Sequence, residues 1–266
     1  MREIWRVREE ASQGCSSRFF ICRQHARVRN KGQKNLDMAN RPVYYYRVTL
    51  PKGTLMAKED TKARLIAEGA KLIHEKGFNH TGVQEILQVS GVPKGSFYFY
   101  FQTKEEFGLA VVEYFSQYMG AKMEMHLSNS PLPHIKRLKN FFDEMMEYFR
   151  HEGCCRGCPI GNLAQELSDL SDTFREKLKD ALAMMEARIV ASLQRALEAN
   201  EVAPVLDPHE AAYFILNSWE GALTRMKTDK SLEPLAVFDK MIFGFLLRTT
   251  GENDHSLQKN DTDCKK

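Results

Sequence analysis

The sequence predicts an all-α protein: an N-terminal three-helix helix-turn-helix domain followed by a helical C-terminal body. Three observations lead there. Apolar residues recur at helical spacing from Lys58 to Arg248, and no run alternates convincingly as a strand. Gly77, Gly91, Gly153, Pro204 and Pro208 fall at the ends of periodic runs. The segment Gly77–Phe101, GFNHTGVQEILQVSGVPKGSFYFYF, fits a helix, a glycine turn and a second short helix into 25 residues.

The first helix starts near Lys58, with Ile66, Ala70 and Ile73 forming a stripe beside Leu65, Gly69 and Leu72. Gly77 stops it as a C-terminal cap. Thr81 then stands where an N-cap belongs, with Gln84 three residues on, the pattern of a capping box. Val83, Ile86 and Leu87 give the second helix its buried face. Ser90-Gly91 breaks it, because glycine tolerates positive φ in a tight turn. Val92 anchors that turn, and Pro93 suits the first positions of the next helix. There Phe97 and Phe101, four apart, face inward. Phe97, Phe99 and Phe101 are also what plain aromatic core packing would produce. Thr103 is placed to cap the fourth helix.

The body reads as Phe107–Leu127, a loop at Pro131-x-Pro133, then His134–His151 ending before Gly153, and Asp172–Asn200. Pro204 and Pro208 bracket a turn, followed by Pro208–Lys227 and Glu233–Arg248. The expected domains are 56–115 for DNA binding and 116–250 for the helical body, with 251–266 a polar, frayed tail. Residues 1–55 carry twelve Lys and Arg against four Asp and Glu, lack the apolar core of a secretory signal, and contain the odd run Val43-Tyr44-Tyr45-Tyr46. Two readings stay open for them: a disordered basic arm adding non-specific DNA affinity, or a misassigned start, since Met56-Ala57-Lys58-Glu59-Asp60 resembles an ordinary bacterial beginning.

Composition narrows the function. The 266 residues are 43% apolar, ample for a packed core, and no stretch approaches the ~18–20 apolar residues of a membrane helix. A net charge of +3 names no partner. Six cysteines, three of them crowded at Cys154, Cys155 and Cys158, fit free thiols in a reducing cytoplasm better than a disulfide scaffold. Neither a G-x-G-x-x-G nor a Walker pattern occurs; neither an enzyme nor a cofactor is expected.

The short third helix carries DNA chemistry. A recognition helix touches base edges mainly through its N-terminal residues, which makes Lys94, Gly95 and Ser96 the base-contact candidates. Tyr98 and Tyr100 offer hydroxyls to phosphates. Thr81 joins this set, as does Lys104, whose ammonium stands at a helix start that itself attracts phosphate.

These residues also carry a family resemblance. Thr61–Phe115 resembles the DNA-binding domain of TetR/AcrR-family bacterial regulators: Gly77-Phe78, Thr81, the Ser90-Gly91-Val92 turn, Gly95 through Phe101, and Thr103-Lys104-Glu105. Pro93 replaces a common Ser, and Gln88-Val89 stands where Ala-rich residues often occur. The resemblance implies a homodimer through the last two long helices, here Pro208–Lys227 and Glu233–Arg248, binding double-stranded palindromic operator DNA and released by a small-molecule or electrophile inducer.

The run Cys154-Cys155-Arg156-Gly157-Cys158-Pro159 admits several readings. Cys155-x-x-Cys158 has half the spacing of a zinc knuckle, but a second Cys/His pair is missing. A thioredoxin-like thiol-disulfide centre needs a βαβ context that is absent. As a redox or electrophile sensor, Cys158 would begin the helix Pro159–Leu167, whose N-terminus, with Arg156, favours the thiolate. Free cysteine is also an ordinary core residue. Gly157-Cys158-Pro159-Ile160-Gly161-Asn162-Leu163 resembles the matching loop of family members that sense electrophiles and reactive chlorine, typified by the regulator of N-ethylmaleimide reductase. There a lysine late in the penultimate helix works with the cysteine, which implies Lys227 here. Met123, Met125, Met145, Met146, Met184, Met185, Phe141, Phe142, Phe149 and Trp219 read either as an effector pocket or as plain core.

Overall fold

The protein is described from a computed structural model covering residues 58–128 and 130–248. The expectations for 1–55 and for 251–266 lie outside the described residues. Among the described residues every regular element is helical.

Helix α1 (Lys58–Lys76) buries Leu65, Ala70, Leu72 and Ile73. It ends at Gly77, whose amide donates to the Ile73 carbonyl (2.8 Å) at φ +85°, a left-handed conformation that a Cβ disfavours. Helix α2 (Val83–Ser90) ends at Gly91, φ 62°, where the Gly91 and Val92 amides turn back to the carbonyls of Gln88 and Leu87. Helix α3 (Lys94–Tyr100) follows directly, and Phe97 and Phe101 close on Phe107, with ring centroids 5.1–5.6 Å apart among the three. Helix α4 (Lys104–Leu127) is capped by Thr103: its Oγ1 accepts from the Glu106 amide (3.0 Å), and the Glu106 carboxylate accepts from the Gln102 amide (2.8 Å).

One cap departs from expectation. Helix α2 begins a residue later, behind Gly82, without a side-chain cap. Thr81 is fully buried and its hydroxyl donates backwards to the Gly77 carbonyl (2.7 Å). The carbonyl exposed by the α1 stop takes the hydroxyl that a capping box would have used.

The body consists of α5 (His134–His151), α6 (Pro159–Leu167), α7 (Asp172–Glu198), α8 (Pro208–Asp229) and α9 (Glu233–Met241). At 24 residues, or about 36 Å at 1.5 Å per residue, α4 runs from the head into the body and packs against α1, α5, α6 and α7. Gly108 on α4 allows this: a Cβ there would meet the rings of Phe78 at 2.4 Å and Phe174 at 2.6 Å.

The last helix is not continuous to Arg248 as the sequence pattern suggested. After Met241 the chain widens into a π turn over Ile242–Leu246, closed by the Leu247 amide on the Ile242 carbonyl (2.9 Å). Ile242 and Leu247, five apart, are both buried, and the wider winding points both inward.

The methionine and aromatic set is packed core. Phe142 stands at the centre, with ring centroids 5.0 Å from Trp219, 5.0 Å from Phe238 and 5.2 Å from Phe141. Phe149, Met123, Met145 and Met185 are buried with them, Met146 and Met184 are partly buried at the edge, and Met125 faces outward.

Candidate functional site

Two groups of residues bear on function: the outer face of α3, and a polar cluster around the α5–α6 loop. Lys94, Gly95 and Tyr98 are exposed on α3, while Ser96 and Tyr100 are half-buried. Phe99 shares this face at 65% exposure, with its ring edge-on to Tyr100 at 5.0 Å. Its alternation with Phe97 and Phe101 suggested core, but a residue two positions along a helix lies about 200° round, on the opposite side. Helical geometry alone would have placed it outside.

Thr81 and Lys104 do not join that face. The Lys104 ammonium donates to the Phe78 carbonyl (2.7 Å) and lies 4.4 Å over the Phe78 ring; burial lowers its pKa, against the pull of Glu166. Rather than extending towards a phosphate, it fastens the α1–α2 turn. Glu166, in the last turn of α6, completes that fastening by accepting from the amides of Phe78 (2.8 Å) and Asn79 (2.7 Å). Sequence reading missed Glu166 because its partners lie 88 and 87 residues away.

The other end of α6 holds the thiol. Cys158 is its N-cap, and its sulfur accepts from the Gly161 amide (3.4 Å). The helix terminus is where the sequence placed it, but the expectation of a thiolate is reversed. Burial and the Glu220 carboxyl push the Cys158 thiol well above its ordinary pKa, outweighing the Gly161 and Ile160 amides. Arg156 is engaged elsewhere, on Glu75 (2.8 Å) and Glu152 (3.2 Å). At neutral pH the resting thiol is therefore protonated. Cys155, the partner of Cys158 in the alternative zinc-knuckle and thiol-disulfide readings, occupies a different environment: it is half-buried, donates to the Gly153 carbonyl (3.4 Å), and has the Lys230 ammonium 3.5 Å away. Among the described residues no three His, Cys, Asp or Glu side chains gather as metal ligands.

Lys227 comes to this cluster from α8. Its ammonium donates to Asn162 Oδ1 (2.6 Å), and its pKa is lowered by burial against the pull of Glu220 and Cys158. Asn162 in turn donates to the Arg156 carbonyl (2.6 Å). The loop between α5 and α6 is strained: Cys154 (φ 58°) and Arg156 (φ 69°) take left-handed conformations, at about 1–2 kcal/mol each. From α1, buried His74 donates Nε2–H to the Gly157 carbonyl (2.8 Å). Burial lowers the His74 pKa to about 4, with Arg156 and Lys227 adding to the shift and the Gly157 bond opposing it. The thiol loop thus touches the DNA head through His74 and Glu75, and α8 through Lys227 and Glu220.

A glycine-turned helix pair with an exposed third helix, mounted on a helical body, defines a helix-turn-helix DNA-binding regulator. Comparison with known proteins narrows this class. Residues 65–111 match the bacterial regulatory proteins, tetR family, and residues 135–242 match the tetracyclin repressor-like C-terminal domain. The chain is 33% identical to the transcriptional repressor DhaR of Mycobacterium sp. strain GP1 over 198 residues, 73% of this chain and 96% of that one. It is 36% identical to the transcriptional regulator AcuR of Cereibacter sphaeroides over 187 residues, 70% and 85% of the two chains. The crystal structure of reduced Escherichia coli NemR superposes with a TM-score of 0.66 at 28% identity, covering 70% of this chain and 96% of that one. The chain belongs to the TetR family of bacterial transcriptional regulators. No helix among the described residues is long and apolar enough to cross a membrane.

Proposed function

We propose that this regulator is a homodimeric, cytoplasmic repressor that leaves its operator when an electrophile modifies Cys158, and that it has no enzymatic activity of its own. The observation that carries the reading is that one short helix, α6, holds Cys158 at its first end and Glu166 at its last. A shift of α6 on thiol modification pulls the Phe78 and Asn79 amides, and with them the α1–α2 turn on which the head is set. Lys227 steadies the loop through Asn162. Similarity to Escherichia coli NemR, whose crystal structure is described as that of the reduced form, agrees with thiol sensing.

Residues 56–115 are the DNA-binding domain in this reading, and 116–250 the sensing and dimerisation domain. Lys94, Gly95, Ser96, Tyr98 and Tyr100 contact the operator, and Phe99 lies among them. Thr81 and Lys104 act by holding the 77–79 turn in register. Tyr213, Phe214, Val237, Met241 and Phe245 are exposed on α8, α9 and the π turn, an apolar face suited to a second copy of the chain. Two heads one DNA turn apart then read a palindrome. Modification favours a body conformation in which the heads are misplaced, with a coupling of about 1–3 kcal/mol.

Gel retardation with the protein's own upstream DNA tests both halves. Lys94→Ala is expected to weaken binding and to lower the salt slope by about one per head, about two for the dimer; an unchanged affinity and slope would remove Lys94 from the interface. Cys158→Ser is expected to bind DNA like the wild type and to stay bound when a quinone or hypochlorite is added. Wild-type release by the same reagents in Cys158→Ser refutes the sensing assignment.

A further inference from the structure

The protonated Cys158 poses a chemical problem: a buried thiol is a poor nucleophile, and a buried thiolate is costly to create. Glu220 on α8 supplies what is missing. Its carboxyl faces the Cys158 thiol, and its Oε1 is sealed from solvent without a hydrogen-bond partner. The approach depends on Gly161, the third residue of α6: a Cβ there would stand 2.1 Å from Glu220 Oε2. The acid has been brought against the helix start through a gap that only glycine leaves open.

We infer that Glu220 is the proton acceptor that turns Cys158 into a nucleophile, a role that rests on Cys158 being the sensing thiol. Proton transfer from sulfur to Glu220 leaves the pair with the same net charge, so no additional charge is buried. The negative charge moves from the carboxylate to sulfur, where the Gly161 and Ile160 amides meet it. The other charged or titratable groups around the pair are Lys227 on α8, neutral His74 on α1, and Arg156 in the loop, held by Glu75 and Glu152. Burial raises the Glu220 pKa, while Cys158 and Lys227 hold it back, which makes its carboxylate a stronger base than a free glutamate.

An electrophile class that this pair can add with no oxidant and no leaving group is the α,β-unsaturated carbonyl. The thiol proton passes to Glu220 as sulfur forms a C–S bond at the β carbon. The C=C π bond breaks and its electrons become an enolate. Glu220 returns the proton to the α carbon. Nothing is oxidised or reduced and no group leaves, so the full stoichiometry is one thiol plus one alkene.

The test follows alkylation by methyl vinyl ketone. Trypsin releases residues 157–175, a peptide in which Cys158 is the sole cysteine, so mass spectrometry reads this thiol apart from the other five. Wild type, Glu220→Gln and Glu220→Asp are compared between about pH 6 and about pH 9, with DNA retardation as the folding check. General-base help contributes about 10²–10⁴-fold. Glu220→Gln is therefore expected to slow alkylation at least tenfold near pH 7, and to turn a rate that is flat above the Glu220 titration into one rising about tenfold per pH unit. Glu220→Asp is expected to restore a flat profile at a lower rate. Gly161→Ala reads the same contact from the other side, and serves alone if Glu220→Gln fails to retard DNA: by displacing the carboxylate it should reproduce the rising profile.

The overturning result has the opposite sign. If Glu220 acts only through its charge, removing it lowers the thiol pKa, and Glu220→Gln reacts as fast as the wild type or faster. Failure of the sensing role looks different: operator stays bound after Cys158 is alkylated, while the alkylation rate still follows Glu220.

Discussion

Phe142→Ala is expected to destabilise the protein by about 3–5 kcal/mol, the range for deleting a buried aromatic ring. Phe142 is 1% exposed, and its ring meets Phe141, Trp219, Phe238 and Phe243 with centroids 5.0–6.0 Å away. These partners come from α5, α8, α9 and the π turn, so the void cannot close by moving one helix. The loss combines buried apolar area with edge-to-face ring contacts. Urea unfolding at fixed protomer concentration measures it, since dimerisation adds to apparent stability. The ring partners of Phe142 all lie in the body, so folded mutant protein should still retard operator DNA at low temperature. A loss under about 1 kcal/mol would mean that the cluster repacks, and that these rings line an adaptable cavity instead of a fixed core.

What the sequence displayed plainly was local. Gly77 and Gly91 announce helix ends because their φ of 85° and 62° is a one-residue property. Thr103 announces a cap because its partner is three residues away. Thr81 misled for the same reason: a hydroxyl at a helix start has two carbonyl and amide choices nearby, and the pattern does not say which way it turns. The position of Cys158 at a helix start was legible, but the state of its proton was not. That state depends on Glu220 and on burial, both set by how α8 folds back onto α6. His74 and Glu166, whose partners lie 83 to 88 residues away, carry no local signal at all. The sequence therefore displayed the DNA-reading helix far better than the contacts joining it to the thiol.

His74 makes that junction sensitive to acid. Its pKa in the folded protein is about 4 against 6.5 for the free side chain, so between those values the unfolded chain binds more protons. Stability is full above about pH 6.5 and falls as the pH drops towards about 4. Between about pH 7 and about pH 4.5 the loss from this one group is about 2 kcal/mol. The Gly157 bond is not what breaks, because a protonated imidazole still donates from Nε2. The penalty comes from charging a buried ring near Arg156 and Lys227. His74→Gln keeps a donor and removes the titration, so its stability should decline by about 2 kcal/mol less over the same interval. Urea unfolding at several pH values compares the two proteins. Parallel curves would show that His74 titrates at its ordinary value, and that α1 is held to the thiol loop less closely than the 2.8 Å bond to Gly157 implies.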